Sequence, residues 1–470
     1  MHKTAFAILV LTSLAGGCAS APPAAHGSER PPNIVLIVAD DLGWAELSCY
    51  GQQRIHTPRI DRMAREGLRF TQFYSGAPVC APSRCTLLTG KHTGHAAIRD
   101  NLEIEPEGQA PLPDAELTLA EALRSASYTT AITGKWGLGA PGSEGEPNKQ
   151  GFDSWFGYLC QREAHNYYPD HLWRDGERVE LAGNSRGLTG EQYSHDLFTD
   201  EALRFIRDSH GRPFFLFVAY TIPHLALQVP QDSLSEYCGL WEDPPYEGGQ
   251  GYLPHPAPRA AYAAMVTRLD RDVGRILDLL AELELEEDTL VLFTSDNGPT
   301  YDRIGGSDSE FFQSVGPLRG LKGSTYEGGI RVPLVVRWPG RVPPGRVSQH
   351  VSAFWDVMPT VLEAAGIEVP AHLDGISFLP TLEGREGQRE HEYLYWELRD
   401  YGGQQALRMG DWKGVIQGRR TGNHAIELYD LAGDPGETRD VASQHPELVE
   451  RLRALLSQAR SESALFPLDG

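Results

Sequence analysis

Short runs of apolar, β-branched and aromatic residues recur along this chain, and they set the class of fold that it can adopt. The runs are residues 34–38, 129–133, 214–218, 290–293 and 334–336. Continuous runs of this kind are typical of strands buried on both faces of a sheet. Helical periodicity lies between them, at residues 117–127, 195–207 and 357–365, and in the stripe Tyr262, Val266, Leu269, Val273, Ile276 and Leu280. The alternation predicts an α/β domain with a large, mostly parallel central sheet flanked by helices.

A different pattern begins near residue 385. Short strand-like segments at 393–396, 405–408 and 412–416 alternate with glycine-rich turns, and an amphipathic helix is predicted at 447–465. These segments predict a smaller C-terminal antiparallel sheet with one packed helix. Because 470 residues exceed one ordinary domain, we expect an α/β domain over residues 32–384 and a C-terminal α+β subdomain over residues 385–470.

The N-terminus has the features of an export signal. A weakly basic start precedes an apolar segment, residues 5–14, that is too short to span a bilayer. The segment Ala15-Gly16-Gly17-Cys18 is similar to a bacterial lipoprotein cleavage site. Residues 1–18 are therefore predicted to be a signal peptide with lipid attachment at Cys18, or with ordinary cleavage nearby, and residues 19–31 a flexible tether. We expect an exported bacterial protein, either periplasmic or anchored by lipid at the cell surface.

Charge and cysteine content narrow the classes of partner and site. The formal net charge is −22, from 42 basic and 64 acidic residues, so a nucleic acid is not expected as a partner. An anionic substrate would have to be attracted by a local cluster of positive charge. No CxxC pair or histidine-rich spacing is present, so we expect no zinc site. Cys49, Cys85, Cys160 and Cys238 could pair in an exported protein, but the sequence does not fix their connectivity.

Polar residues follow four of the predicted strands. They are Asp40, Asp41, Lys135, His224, Asp296 and Asn297. The carboxyl ends of parallel strands meet along one edge of a sheet, where open α/β folds place their functional sites. Any one of these residues could instead be a turn or cap residue. Together, Asp40, Asp41, Asp296 and Asn297 offer only oxygen ligands, which suit Ca²⁺, with Mg²⁺ as an alternative. A cation would also explain how two adjacent carboxylates coexist at a buried edge.

A helix is predicted to begin near Cys80, which places this cysteine at the helix N-terminus. Pro82 suits a first helical turn, and Arg84 lies one turn further on. Cys80 would then face free backbone N–H groups, the positive end of the helix dipole and a guanidinium, which together suit an oxyanion. Two other interpretations remain open, namely a thiol stabilised at a helix N-terminus and a disulfide with Cys85.

The segment Cys80-Ala81-Pro82-Ser83-Arg84, followed by Leu88-Thr89-Gly90, resembles the activation signature of the type I sulfatases, a family of the alkaline phosphatase superfamily. The resemblance extends from about residue 32 to residue 465. Its other motifs, in the family's order, are residues 39–43, 134–136, 223–224, 294–298, 321–329, 356–360 and 428–431. The resemblance implies that a formylglycine-generating enzyme converts Cys80 to Cα-formylglycine, whose hydrated aldehyde is the nucleophile.

The same resemblance assigns further residues. It implies that calcium is bound by Asp40, Asp41, Asp296 and Asn297 together with the formylglycine at position 80. Lys135, Lys322 and His224 would surround the sulfate, and Arg84 would add to the positive field. His224 or Lys322 would protonate the departing alcohol or phenol.

One position departs from the family pattern. Gly137 stands where the family often has a histidine that contacts the formylglycine hydroxyl and helps to expel sulfate. The residue that acts as base in that step is therefore open. His92, His95 and His165 are candidate substitutes, as are a nearby carboxylate and a water molecule.

The expected activity is hydrolysis of the sulfate esters of a carbohydrate or of an aryl alcohol. The aromatic and polar segments 165–169 and 232–255 are candidate sugar-binding loops, with His165 as a substrate-binding residue, and Arg99 and Asp100 are weaker candidates. Ordinary surface loops are the alternative. Two other functions are considered: a phosphoester or phosphonate hydrolase of the same superfamily, and an inactive glycan-binding surface protein, which only Gly137 favours.

Overall fold

The computed structural model describes residues 30–469. The predicted signal peptide, Cys18 and nearly all of the predicted tether lie outside the described residues. None of the helices within residues 30–469 is long and apolar enough to cross a membrane. The five cysteines of the described part, Cys49, Cys80, Cys85, Cys160 and Cys238, are all free thiols. The alternative of a Cys80–Cys85 disulfide is therefore not what this structure contains.

The strands form one large and one small sheet. The strands are β1 (Asn33–Asp40), β2 (Leu68–Tyr74), β3 (Thr129–Lys135), β4 (Ser154–Tyr158), β5 (His171–Arg174), β6 (Glu177–Glu180), β7 (Phe214–Pro223), β8 (Thr289–Ser295), β9 (Arg331–Arg337), β10 (Arg346–Ser348), β11 (Ser352–Ala353), β12 (Leu394–Leu398), β13 (Gln404–Met409), β14 (Trp412–Gln417) and β15 (Glu427–Asp430). The large sheet has the order β10-β2-β9-β8-β1-β7-β3-β4-β5-β6, with β11 paired to β2. Its centre, from β8 through β1, β7 and β3 to β4, is parallel.

Helices cover both faces of the large sheet, and one further helix, Pro446–Gln458, packs on the small sheet. They are α1 (Pro58–Glu66), α2 (Cys80–Thr89), α3 (Leu119–Ser125), α4 (Ser194–Ser209), α5 (Gln231–Leu234), α6 (Pro258–Glu282), α7 (Ser309–Phe312), α8 (Glu327–Ile330), α9 (Val357–Ala364), α10 (Leu379–Glu383) and α11 (Pro446–Gln458). On β1, Val35 and Ile37 pack into the core that contains α4 and α6, whereas Leu36 and Val38 pack into the core that contains α2, α3 and α9. Burial on both faces explains why the strand is continuously apolar, and the predicted α/β class is confirmed.

Strand β9 does not share the parallel direction of the central strands. The segment 334–336 resembles the parallel strands in composition, but β9 is antiparallel to both β8 and β2. Because of this reversal, β9 begins at the edge of the sheet where β8 ends. The loop that precedes β9, which carries Lys322, is thereby delivered to the same edge as the ends of the parallel strands.

Strands β12 to β15 form the small antiparallel sheet, and α11 packs on it; we call these elements the C-terminal subdomain. The prediction of a helix over 447–465 is wrong at its end, since α11 stops at Gln458. Beyond it, Ser461 donates a backbone hydrogen bond to Gly94 O at 3.0 Å. Phe466 is buried in the α/β core. Contacts with the α/β domain therefore replace the last predicted helical turns.

Candidate active site

Four neighbouring strand ends bring the predicted polar residues together. Asp40 and Lys135 are the last residues of β1 and β3, His224 follows β7, and Asp296 follows β8. The two aspartates and the lysine are completely buried, and the histidine is nearly so. These strands are adjacent in the sheet, so the predicted edge is formed as the sequence indicated.

The cluster pairs carboxylates with cations at short range. Lys135 Nζ donates to Asp40 Oδ2 at 2.6 Å, and Lys322 Nζ lies 2.8 Å from Asp41 Oδ1. Arg84 donates from Nη2 to Asp296 Oδ2 at 2.8 Å and from Nη1 to the Lys135 carbonyl at 2.7 Å. The guanidinium therefore links the helix that carries Cys80 to two strand ends.

The carboxylates respond differently to this environment. Burial alone would raise the pKa of Asp40, but Lys135, His224, Arg84 and Lys322 together hold that pKa well below its usual range. Burial raises the pKa of Asp41, and the charge of Asp40 adds to the effect against the opposing Lys322. Burial and Asp40 likewise raise the pKa of Asp296 to about 6. Two of the three carboxylates thus lack full compensation from the protein's own cations.

Two local features mark this cluster as a binding site. Asn297 donates from Nδ2 to Asp41 Oδ1 at 2.7 Å, but its side-chain oxygen is buried without a hydrogen-bond partner. Asp41 adopts a left-handed backbone with φ of +63°, which a non-glycine residue rarely adopts. Such strain is kept where the surroundings demand one side-chain position. The unpartnered amide oxygen and the adjacent carboxylates form an oxygen-only donor set of the kind that holds Ca²⁺ or Mg²⁺.

Cys80 lies at the centre of this arrangement, as the first residue of α2. Its Sγ is 3.6 Å from Asp40 Oδ1 and 3.4 Å from Lys322 Nζ. The next backbone N–H, that of Ala81, donates to Asn101 Oδ1 at 3.0 Å. Burial raises the pKa of the thiol to about 12, although Lys135 and Lys322 oppose the shift. Desolvation thus outweighs the cations and favours the neutral thiol, so the alternative of a thiol at the helix N-terminus stays open.

The four histidines predicted for the site or as substitutes for the missing histidine divide into two pairs. His224 and His165 stack with ring centroids 4.6 Å apart, and His224 Nε2 is 3.5 Å from Asp41 Oδ2. Burial lowers the pKa of both imidazoles, helped by Lys322 at His224 and by His224 at His165. His95 instead bonds Asp374 at 2.9 Å, and His92 stacks on His95. Of the three candidate substitutes for the missing histidine, the structure brings only His165 to the site.

The space beside Gly137, where the family often has a histidine, is occupied by the side chain of Gln161. Gly137 has a φ of +79°, and a Cβ at this position would lie 2.8 Å from Gln161 Nε2. The amide nitrogen of Gln161 is buried and has no hydrogen-bond partner. A side chain at position 137 would therefore meet both backbone strain and the Gln161 amide. Sequence reasoning did not identify Gln161, since nothing in its own segment singles it out.

The C-terminal subdomain supports the loop that carries Lys322, which the sequence did not indicate. Gln404 accepts from Thr325 N at 3.0 Å and donates to Gly323 O at 2.7 Å. Lys413 Nζ lies 2.9 Å from a carboxylate oxygen of both Glu327 and Glu437. Glu437 also accepts from Glu327 N at 2.6 Å. The lysine at the site is thus held from behind by the small sheet.

The candidate substrate residues are only partly placed at the site. Tyr252, from the segment 232–255, lies 5.6 Å from the His165 ring, whereas Tyr167 is buried and donates to His224 O at 2.6 Å. Arg99 is buried and donates to Ser461 O at 2.7 Å. Its donors fix the C-terminal segment, and its candidate role in substrate binding stays a prediction. Asp100 accepts from Asp400 N at 2.7 Å and is also buried.

Comparisons with known proteins fit this geometry. Residues 32–367 match the family model described as Sulfatase, and residues 322–462 match that of the C-terminal part of N-sulphoglucosamine sulphohydrolase. The chain belongs to the sulfatase family. The human N-acetylgalactosamine-6-sulfatase is 33% identical over 94% of this chain and 88% of that protein. Human arylsulfatase A is 32% identical over 97% and 92% of the two chains.

A solved sulfatase-like structure shows the same architecture. The crystal structure of Ps i-CgsB in complex with k-i-k-neocarrahexaose has a TM-score of 0.77 and 29% identity, and covers 92% of this chain and 93% of its own. This sulfatase is accordingly a sulfuric ester hydrolase of the type I family.

Proposed function

We propose that this sulfatase removes sulfate from a sulfated carbohydrate by means of a formylglycine made from Cys80. The observation that carries the proposal is the position of Cys80 at the start of α2, between Asp40 and Lys322. Its thiol is a weak nucleophile because burial raises its pKa to about 12. The hydrated aldehyde would place two hydroxyls on the same carbon beside the same cations, one for attack on sulfur and one for the release of sulfate. Since the side chain is buried, a formylglycine-generating enzyme would have to act before folding is complete.

A divalent cation fits the oxygen cluster, with Ca²⁺ preferred and Mg²⁺ as the alternative. Asp40, Asp41, Asp296 and Asn297 would hold it, with residue 80 beside them. Of these, Asp40, Asp41 and Cys80, together with His224, place their ligand atoms within 4.8 Å of one another. The raised pKa values of Asp41 and Asp296 and the unpartnered Asn297 oxygen are what such an ion would relieve. When bound, the cation would supply positive charge next to the sulfate and make a nearby hydroxyl more acidic.

The protein's own cations would neutralise the sulfate group. A sulfate ester resists attack because its oxygens shield sulfur with negative charge. Lys135 and Lys322 stay protonated, because their carboxylate partners raise their pKa values even though burial opposes this. Arg84 is fixed by three hydrogen bonds to Asp296 and Lys135 O and cannot turn away. Preorganised charge of this kind stabilises the transition state without reorganisation.

Proton transfer to the leaving group would fall to His224, with Lys322 as the other candidate. His224 Nδ1 contacts its neighbour's carbonyl, Leu225 O, at 2.5 Å, which fixes the ring and leaves Nε2 towards the cluster. An incoming sulfate would raise the pKa of this imidazole, because negative charge favours its protonated form. The hydrated aldehyde would supply one hydroxyl for attack on sulfur and a second whose deprotonation releases sulfate.

The substrate class is proposed from similarity and from the rim of the site. N-acetylgalactosamine-6-sulfatase is named for a sulfated sugar, and Ps i-CgsB was solved in complex with k-i-k-neocarrahexaose. At the rim of this site, His165 and Tyr252 form an aromatic pair, and we assign His165 to substrate binding. Export, with lipid attachment at Cys18, would place such an enzyme where polysaccharides are encountered.

The decisive experiment is the mass of the tryptic peptide that contains Cys80, from protein made in its native host. We expect the mass of the formylglycine form and labelling of that peptide by an aldehyde-reactive probe. Turnover of 4-nitrophenyl sulfate and 4-nitrophenyl phosphate would be compared on the same preparation, and sulfate should be released far faster. An unmodified Cys80 in fully active enzyme would overturn the formylglycine mechanism. Preferential phosphate release would overturn the proposed reaction.

A further inference from the structure

An exposed aromatic side chain lies at the mouth of the site on a loop of the C-terminal subdomain. Tyr401, between β12 and β13, is 53% exposed, which is unusual for a side chain of this size. Its backbone has a φ of +57°, a left-handed conformation that costs free energy in a non-glycine residue. The fold therefore maintains a strained backbone to present a large aromatic ring to solvent.

The position of this ring is fixed relative to the catalytic lysine. Tyr401 packs against Gly323, the residue after Lys322: a Cβ on Gly323 would lie 2.9 Å from the Tyr401 ring. Tyr401 also stacks on Tyr301 of the α/β domain, with centroids 6.0 Å apart, and the two hydroxyls are hydrogen-bonded. Lys322 Nζ in turn lies 5.9 Å from the Tyr301 ring centroid. The two tyrosines thus form a continuous aromatic surface that leads outward from the sulfate-binding cations.

An arginine without an ion pair flanks this surface. Arg420 is exposed and makes no side-chain hydrogen bond or ion pair within residues 30–469. Its stem packs against Gly403, where a Cβ would lie 2.9 Å from the arginine Cγ. The adjacent Arg419, in contrast, is used in pairing with Asp469 at 2.7 Å. Arg420 is thus held beside Gly402 and Gly403, the two residues that follow Tyr401, in a protein with a net charge of −22.

The loop that carries Tyr401 also carries charged residues of both signs. Arg399 lies near the buried Asp100. Burial raises the pKa of Asp100 to about 6, and the charge of Arg399 opposes this shift. Asp400 is exposed on the same loop, and its backbone N–H is bound by Asp100. Two carboxylates, Asp100 and Asp400, thus offset the two arginines Arg399 and Arg420. The positive charge left for a ligand is that of Arg420, which pairs with neither carboxylate.

We propose that Tyr401 and Arg420 form a subsite for the part of an acidic glycan that lies outside the sulfate-binding pocket. Tyr401 stacks on the face of a sugar ring, and Arg420 pairs with a sulfate or carboxylate group carried by the glycan. The inference deepens the proposed function and rests on it for the substrate class. It predicts that a multiply charged oligosaccharide is preferred over a small aryl sulfate.

The test compares Tyr401→Ala, Arg420→Ala and wild-type enzyme on chondroitin 6-sulfate and iota-carrageenan oligosaccharides and on 4-nitrophenyl sulfate. We expect each substitution to lower kcat/KM for the preferred oligosaccharide by about tenfold, chiefly through KM, and to lower its ratio to that for the aryl sulfate. The Arg420 effect should shrink with added salt. Arg207→Ala is the matched control, because this exposed arginine precedes the start of β7, at the opposite edge of the sheet. It should leave both activities unchanged.

A binding measurement separates this proposal from the proposed function. Calorimetric titration of the same oligosaccharides into Cys80→Ala protein does not require turnover. Weaker binding in Cys80→Ala combined with Arg420→Ala or Tyr401→Ala would support the subsite even if no sulfate were released by the wild type. Equal binding by all variants, no binding at all, or equal losses on aryl and oligosaccharide substrates would overturn it.

Discussion

Two buried clusters of carboxylates and lysines lie close together in this molecule and do different things. The first, at the strand ends, contains Asp40, Asp41 and Asp296 with Lys135 and Lys322. The second, which we call the clamp, contains Glu327, Lys413 and Glu437, between the Lys322 loop and the small sheet. All three clamp side chains are fully buried, as the strand-end carboxylates are. Burial of charge is therefore not what distinguishes a binding site from a structural contact.

The difference lies in how each cluster is neutralised. In the clamp, one lysine contacts both glutamates at 2.9 Å. Lys413 and two arginines overcome the effect of burial and lower the pKa of Glu327 to about 2, whereas burial raises the pKa of Glu437 to about 7. A proton on one glutamate can thus complete the balance. A left-handed backbone occurs in both clusters, at Asp41 with φ of +63° and at Glu437 with φ of +50°. The clusters differ in their buried oxygens: the Glu437 oxygen that makes no hydrogen bond lies 2.9 Å from Lys413 Nζ, whereas the Asn297 oxygen is buried without a partner and so has bonding capacity left for a cation.

The largest effect on activity is expected for substitution of Cys80, because the clamp contains no nucleophile. Cys80→Ala should lower sulfate release by at least about 10³-fold, because the nucleophile is lost while the charges around it remain. Far-UV circular dichroism and Tm should stay close to wild type. Cys85→Ala, a buried cysteine on the same helix, is the matched control and should retain most activity. Near-normal turnover by Cys80→Ala would contradict the assignment.

A pair of lysine substitutions compares the clusters directly. Lys135→Met should lower kcat/KM by about 10²-fold or more, because a cation proposed to face the sulfate is lost, and should also lower stability, because Asp40 is left buried without its main charged partner. Lys413→Met should likewise destabilise the fold by about 3 kcal/mol, since it leaves Glu327 buried without its main partner, but should leave kcat/KM of the folded enzyme close to wild type. Activity and Tm would be measured on the same preparations in excess calcium, with the exposed Lys149→Met as control. If Lys413→Met lowered kcat/KM of the folded enzyme as much as Lys135→Met does, the division into a binding cluster and a clamp would be wrong.

The contrast also shows what the sequence could predict. Asp40, Lys135, His224 and Asp296 were placed correctly because each lies at or just after the end of a buried apolar run, and a parallel sheet brings such ends together. The supports of Lys322 were not predicted. Lys413 alternates with apolar residues in a short strand and has the pattern of a surface residue. Its partner Glu327 is 86 positions away in sequence, and only the docking of the two sheets brings them into contact.

Removing divalent metal should affect one cluster and not the other. Exhaustive dialysis against a chelator should abolish sulfate release and lower the unfolding free energy by about 3 kcal/mol, the amount expected when a ligand at about 100 times its Kd is withdrawn. Added Ca²⁺ should restore both. Asn297→Ala should raise the calcium concentration required, whereas Gln404→Ala, behind the Lys322 loop, should not. Activity and Tm that are indifferent to metal removal would exclude the oxygen-ligand site.

The smallest expected effect tests whether a proton completes the clamp. Burial raises the pKa of Glu437 from its ordinary 4.5 to about 7. Because the folded state holds this proton more tightly than the unfolded state, its contribution to stability is complete below about pH 4.5 and is lost as the pH rises through about 7. Glu437→Gln cannot ionise and should lose no such contribution. The unfolding free energy of the variant, relative to wild type, should therefore improve by a few kcal/mol at most between pH 5 and pH 8.

Chemical denaturation at each pH measures this difference. Glu46 and Asp270, whose pKa values burial also raises to about 7, titrate in both proteins and cancel in the comparison. Any fixed cost of the amide at position 437 cancels as well, since it does not depend on pH. Parallel curves for the two proteins would mean that Glu437 is ionised in the fold. The clamp would then carry an uncompensated charge, as the strand-end cluster does, and that charge would need another partner.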